Sequence, residues 1–463
     1  MKRLTPQTRL VSLLGLLVLL PSFQTALAQT ETALYSFCTV SFCYDGALPS
    51  GSLTADRYGN LYGTTQSGGI ESCAINGDAC VGGAVFQLSP EPSAGCPSGF
   101  TIGNGWCETV LYNFCSAGAW PDCTDGETPY ANLTLVPPTG HYSTSVGTLY
   151  GTTYNGGTGP GCTDSSGCGI VFELSPEPLP IRGCPSGTNL GNGWCETVLY
   201  NFCSLGGCAD GYYPTSGLVR DSAGSLYGTV PNGVYELYLA GGVWYETMIY
   251  SVETNSGGLA IDAAGNLYGT DANQNVFKLS RESSGYWLAT NIHTFTGSPK
   301  DGYYPVGTPA VDSAGNVYGT TALGGAGTTA CATGCGTVWK LTPVTTGKNA
   351  GTYIKRILHS FTSEKTGYYP EAGVTLDSTG NIYGTTMTGG KYGAQCQSVS
   401  LGSGCGTVFK LAKTNLGYAY KLLWSFNATD GAFPFDNPVL DSSGNLYGTT
   451  YEGGALDGAR CSK

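Results

Sequence analysis

Residues Asp312–Gly325 read DSAGNVYGTTALGG, and near-copies of this stretch punctuate the whole chain. DRYGNLYGTTQSGG starts at Asp56, DSAGSLYGTVPNG at Asp221 and DAAGNLYGTD at Asp262. DSTGNIYGTTMTGG follows at Asp377 and DSSGNLYGTTYEGG at Asp441, while GTLYGTTYNGG from Gly147 keeps only the second half. Around each copy the same four apolar runs recur. In the fifth they are GTPAVD (Gly307–Asp312), NVYGTT (Asn316–Thr321), GTVWKL (Gly336–Leu341) and YIKRILHSF (Tyr353–Phe361), here termed a, b, c and d. Each run is short, rich in Val, Tyr, Phe and Thr, and bounded by turn formers, which is the signature of a strand. Four strands in a unit of about forty residues is the period of a propeller blade. A β-helix would use shorter repeats, and a sandwich would ask one pattern to serve two different sheets.

The expected fold is therefore all-β: a seven-bladed β-propeller of four-stranded antiparallel blades, forming a single domain over residues 29–463. The last blade is expected to be shared between the two ends of the chain. TALYSF (Thr32–Phe37) reads as a d strand with no a, b or c before it, and NPVLD (Asn437–Asp441) and NLYGTT (Asn445–Thr450) read as an a and a b strand. No c strand follows Gly454, and Cys461 matches Cys396 in position, so its partner would lie beyond Lys463. Either a truncated sequence or a degenerate seventh blade accounts for this.

Residues 1–28 read as a signal peptide, with Lys2, Arg3 and Arg9 before the apolar run Leu10–Leu20 and a small-x-small site at Ala26–Ala28. A buried N-terminal helix is the alternative. With that segment removed, the 20 basic residues lose three, leaving 17 against 32 acids and a formal charge of −15. Such a surface repels phosphate backbones and excludes nucleic acid as a partner. No later run is long and apolar enough to span a membrane, so a secreted or cell-surface monomer is expected.

Nineteen cysteines behind a signal peptide imply an oxidising compartment. They fall in close local pairs: Cys38/Cys43, Cys73/Cys80, Cys96/Cys107, Cys115/Cys123, Cys162/Cys168, Cys184/Cys195, Cys203/Cys208, Cys331/Cys335 and Cys396/Cys405, with Cys461 left over. Disulfides are preferred to zinc, which would need Cys-x-x-Cys clusters or nearby His.

The combination DSxGNLYGTT…GG…GTVFKL…LYSF…DG..P resembles the GloVer tandem-repeat family of bacterial exported proteins, over essentially all of the mature chain. The resemblance implies a secreted or surface-displayed repeat protein, often with a C-terminal sorting anchor, which this sequence does not show. It carries no established catalytic residues across.

Little in the chain reads as catalytic. There are three histidines; His293 and His359 stand where Tyr112 and Tyr200 stand in LYNF, and His141 has no companion. No triad or His-ligated metal centre can be built from them. The repeated Asp56, Asp221, Asp262, Asp312, Asp377 and Asp441 read as turn caps followed by a Gly of positive φ, in preference to calcium ligands. No cofactor and no metal is expected.

Strand alternation puts the a–b turns and c–d loops on one face, and the b–c inserts and d–a loops on the other. That second face gathers DGETPY from Asp125, DGYYP from Asp210 and Asp301, TGYYP from Thr366 and DGAFPF from Asp430. Tyr130, Tyr212, Tyr213, Tyr303, Tyr304, Tyr368, Tyr369, Phe433 and Phe435 are thus candidates to stack on a polysaccharide or grip a protein ligand. The alternative is that they pack against the neighbouring blade. A binding or scaffold module is the expected function. The rivals are a carbohydrate-active enzyme with acids in the central channel, for which Asp78, Asp164, Glu371 and Glu452 are non-repeating acids, and a purely structural display protein.

Overall fold

The computed structural model describes residues 30–38, 43–69, 82–91, 96, 105–117, 122–138, 147–163, 166–177, 184, 187–189, 193–255, 257–297, 301–327, 331–391, 396–398 and 402–453. Its sheets lie in one compact unit, Thr32–Lys463. The first sheet pairs Ala47–Ala55, Leu61–Ser67, Ala84–Pro90 and Trp106–Asn113 in sequence order. The second pairs Thr134–Val136, Thr148–Thr153, Ile170–Pro176 and Trp194–Asn201, with Thr188–Asn189 added at its edge. The third runs Val219–Arg220, Leu226–Val230, Gly233–Ala240 and Val243–Ser251; the fourth Ala260–Ile261, Leu267–Thr270, Asn275–Arg281 and Trp287–Thr294. The fifth runs Gly302–Val311, Val317–Gly324, Thr337–Pro343 and Tyr353–Ser360; the sixth Thr375–Leu376, Ile382–Thr386, Thr407–Thr414 and Gly417–Ser425. All these pairs are antiparallel, and a two-stranded sheet of Val439–Leu440 and Leu446–Tyr447 follows. The architecture is an all-β propeller of four-stranded blades: six are complete among the described residues and the last sheet is partial.

The repeated decamer builds the a–b turn of each blade. Asp312 Oδ1 accepts the backbone N–H groups of Ala314 and Asn316, and Oδ2 accepts Asn316 Nδ2 at 2.7 Å and Tyr318 Oη at 3.0 Å. The same four donors meet Asp262 and Asp441. Both carboxylate oxygens are thereby committed within the decamer. The Tyr fixes the turn to the b strand, and the following Gly has a separate reason. A Cβ on Gly63 would fall 2.5 Å from the Phe86 ring, and Phe86 is its direct partner on the c strand. The glycine lets an aromatic ring lie across the sheet where any side chain would collide with it.

Blades are joined by a second repeated device. Thr64 Oγ1 in the first sheet donates to the Ala131 carbonyl at the entry to the second, and Thr152 does the same to Ser216. Thr229 bonds Gly257, Thr320 bonds Ala372 and Thr385 bonds Asp436, each across one blade boundary. Thr449, two residues after the last strand, donates to the Gly51 carbonyl of the first sheet at 3.4 Å. The core is a chain of clusters at these boundaries; one holds Tyr112, Phe114, Leu149 and Phe172.

Two expectations need adjustment. Thr32–Phe37 forms no strand; Leu34, Tyr35 and Phe37 instead pack as coil against Leu53, Leu61 and Phe86, beside Val439 and Tyr447. The a strands are also uneven: Gly302–Val311 takes in the YYP segment, whereas Thr375–Leu376 is two residues long. Cys38–Cys43, Cys96–Cys107, Cys115–Cys123, Cys162–Cys168, Cys184–Cys195, Cys203–Cys208, Cys331–Cys335 and Cys396–Cys405 are disulfides. Cys73, Cys80, Cys461, His141, Asp78 and Asp164 lie outside the described residues.

Candidate functional site

The DG..P loops do two jobs, and the residue before the proline does the first. Leu48, Thr128, Tyr213, Tyr304, Tyr369 and Phe433 all hold positive φ, between 49° and 63°. That left-handed conformation is unusual for bulky side chains and is further disfavoured before proline. It turns the backbone N–H back onto the preceding blade. Thr128 donates to Gly82, Tyr213 to Cys168, Tyr369 to Cys335 and Phe433 to Cys405, at 2.8–3.1 Å. Tyr304 reaches the Gln274 side chain instead. Four of the loops open on a buried Asp, at Asp45, Asp125, Asp210 and Asp301, which ties back as well. Asp125 accepts Tyr112 Oη at 2.9 Å, and Asp210 accepts Tyr200 Oη at 2.8 Å. These loops are clamps between blades.

Their aromatics divide accordingly. Tyr368 is buried, and Tyr369 packs in the same cluster. Tyr212 and Tyr213 pack against Phe202 and Leu218, and Phe433 packs beside Phe426. Tyr130, Tyr303 and Tyr304 remain exposed, and Phe435 is half-buried. His359 lies flat on Tyr420, 4.4 Å between centroids, and burial lowers its pKa to about 4.

One part of this face departs from the repeat. Tyr154 stacks on Tyr213 with centroids 4.8 Å apart and planes 13° from parallel, and Tyr130 stands 6.5 Å from Tyr154. Phe435 meets Tyr451 edge-on at 5.6 Å. Burial, then Asp436, Tyr451, Glu371 and Tyr154, hold the Tyr130 phenol above its ordinary pKa. Tyr130 enters from the second blade, Glu371 from the sixth, and Asp436 and Tyr451 from either side of the last sheet, so groups from distant repeats act on one phenol. Burial raises both carboxyls: Glu371 above its usual range, and Asp436 to about 6 despite a bond from the Gly51 backbone. Next to them lies a cavity of about 290 Å³ lined by Ser52, Asn132, Thr308, Thr375, Asn437 and Val439. These residues belong to the a strands, or the turns into them, of several blades, so the cavity lies where the blades meet.

Asp436, Tyr154 and Tyr451 were not among the sequence candidates. A signal for Asp436 was present: two residues after the loop proline, the other copies carry Gly51, Ala131, Ser216, Gly307 and Ala372. Among small residues, one carboxylate stands out.

No curated protein sequence matches this chain. A solved structure of selenomethionine-substituted virginiamycin B lyase from Staphylococcus aureus is similar at 13% identity and a TM-score of 0.42, covering 86% of this chain and 89% of that one. A likeness at that level bears on neither the blade count nor the chemistry. The model of the family described as Gloeobacter/Verrucomicrobia repeat matches residues 232–459. Residues 232–459, with their repeated turn and clamp, thus belong to the Gloeobacter/Verrucomicrobia repeat family.

Proposed function

We propose that this is an exported, seven-bladed propeller whose d–a loop face binds an extracellular glycan. Closure of the ring is supported by the Thr449–Gly51 bond, which repeats between the last sheet and the first the step that Thr64 makes to Ala131. The packing of Tyr447 against Trp106, 6.2 Å between centroids, supports it too. Export is supported by the eight disulfides among the described residues and by the signal-like first 28 residues of the sequence.

The observation that carries the binding reading is the Tyr130–Tyr154–Tyr213 run beside Glu371 and Asp436. Aromatic faces accept the C–H side of a sugar ring, and carboxylates accept its hydroxyls. The enzyme reading is favoured by the same two acids, whose raised pKa values suit proton transfer. A polysaccharide array followed by a reducing-sugar release assay separates them. Binding without release, lost in Tyr154→Ala, is the expected result. Release would establish the enzyme, and no binding to any polysaccharide would overturn the proposal.

A further inference from the structure

We propose that the cavity ringed by Ser52, Asn132, Thr308 and Asn437 holds one neutral sugar unit of the glycan. This rests on the glycan-binding reading and adds to it a site that the aromatic run does not supply.

One position of the repeat builds the ring. The third residue after the loop proline is Ser52, Asn132, Gly217, Thr308, Gly373 or Asn437, and Gly258, before Leu259, matches it in the fourth repeat. Contacts between repeats place these residues side by side. A Cβ on Gly217 would fall 2.3 Å from Asn132 Oδ1, one on Gly258 2.4 Å from Thr308 Oγ1, and one on Gly373 3.0 Å from Asn437 Nδ2. Residues of the first, second, fifth, sixth and last repeats line one cavity of about 290 Å³. That volume lies at the lower end of small-ligand pockets, about 300–1,000 Å³, so it suits one sugar ring and not a chain.

The fold does not account for the polar side chains at this position. Glycine serves in its place in three repeats, so closing a blade requires no side chain there. Ser52 Oγ, Thr308 Oγ1 and the Asn132 and Asn437 amides make no hydrogen bond among the described residues, and none of the four residues is fully buried. Polar groups that hold the blades behave otherwise: Thr375 Oγ1 donates to the Pro438 carbonyl at 2.6 Å, and Asn255 Nδ2 to the Pro305 carbonyl at 3.0 Å. The cavity wall also has two characters. Pro438, Val439 and Leu440 give it an apolar side, while the hydroxyls and amides give it donors and acceptors. A pyranose presents the same pair, C–H groups on its faces and hydroxyls at its rim. No ionisable side chain is among the lining residues, so an ionic ligand would lose hydration without gaining a counter-charge. An apolar ligand would leave the amides unpaired. Asn132 follows Tyr130 by two residues and Asn437 follows Phe435 by two, so the ring stands within about 7 Å of the aromatic face.

The test is ligand-observed NMR titration of the full chain in mildly acidic buffer. The neutral probes are methyl glycosides of glucose, galactose, mannose and N-acetylglucosamine; glucuronate and protonated glucosamine are the charged ones. At least one neutral glycoside is expected to bind, about tenfold tighter than either charged sugar. Asn132→Leu and Asn437→Leu keep the side-chain shape and remove the amide, and each should weaken that binding about tenfold. Ser52→Ala changes the wall least and should weaken it about threefold. Melting temperatures confirm that each variant folds. Tyr58→Ala alters an exposed ring on the a–b turn and should leave the binding unchanged. Equal binding of neutral and charged sugars overturns this inference, as does neutral-sugar binding that survives both Asn variants. Polysaccharide binding without binding of any neutral glycoside also overturns it, and leaves the glycan reading standing. Binding of neither glycoside nor polysaccharide overturns both readings.

Discussion

The Cδ of Pro129 sits where a side chain on Gly83 would begin: a Cβ on that glycine would fall 2.5 Å from it. Gly83 belongs to the first blade and Pro129 to the loop that opens the second. Pro214 stands over Gly169 and Pro434 over Gly406 in the same way, each at 2.6 Å. The ring of one blade thus seats on the bare backbone of the last, while the N–H before the proline bonds the residue before that glycine.

Gly83→Ala should therefore destabilise the fold strongly. Its φ of 88° costs an L side chain about 1–2 kcal/mol, and the collision with Pro129 adds about 1–3 kcal/mol. A urea-denaturation midpoint measures the sum. Gly59→Ala is the control, since its φ of 86° carries the backbone cost but nothing lies within 4 Å of the new methyl.

The turn aspartates act differently. Asp312→Ala strips two backbone N–H groups, an amide and a phenol of their shared acceptor, at an expected cost of about 2–3 kcal/mol. Burial alone would raise the Asp312 carboxyl, but its donors hold it below the ordinary value. The stability it contributes is present above the unfolded-state pKa and is lost as pH falls through the lower folded one. Thermal melts of wild type and D312A should converge at strongly acidic pH, and a constant gap down to that range would refute this account.

The fold could be read from the sequence because its determinants are local and repeated. Asp, Gly, Asn and Tyr lie within seven residues of one another in DSAGNVY, and each turn closes on itself. The disulfides were legible for the same reason. Cys331 and Cys335 are four residues apart, and Cys396 and Cys405 nine. What stayed hidden depends on convergence between distant copies. The stack of Tyr154 on Tyr213, or the approach of Tyr130 to Asp436 and Glu371, brings together residues that only the ring makes neighbours. The DG..P aromatics also read alike in sequence, yet Tyr368 is buried and Tyr303 exposed. Which one faces water depends on the blade behind it.

Disulfide mapping of the unreduced protein should recover only links within single loops, including Cys96–Cys107 and Cys184–Cys195 in the c–d inserts. Each inter-cysteine loop is short, so its closure stabilises by about 2–3 kcal/mol in the chain-entropy model. A link between cysteines of different repeats would contradict the blade assignment.

Glu108 and Glu196 set the alkaline limit. Both are fully buried in d strands, and some of their carboxyl oxygens have no partner among the described residues. Burial, then the Asp45 carboxyl, raises Glu108 to about 8; burial, then Asp125, does the same for Glu196. A folded-state pKa above the ordinary 4.5 means that the folded chain holds protons the unfolded chain has released. The stability from these groups is complete below about pH 4.5 and is lost as pH rises through about 8. This slope runs opposite to that of the turn aspartates, so the melting temperature should peak at mildly acidic pH. Glu108→Gln keeps the shape and removes the charge, and it should gain about 1–3 kcal/mol over wild type above pH 8 while changing little near pH 5. Equilibrium unfolding at the two pH values checks this. An unchanged difference between them would show that Glu108 stays ionised in the folded protein.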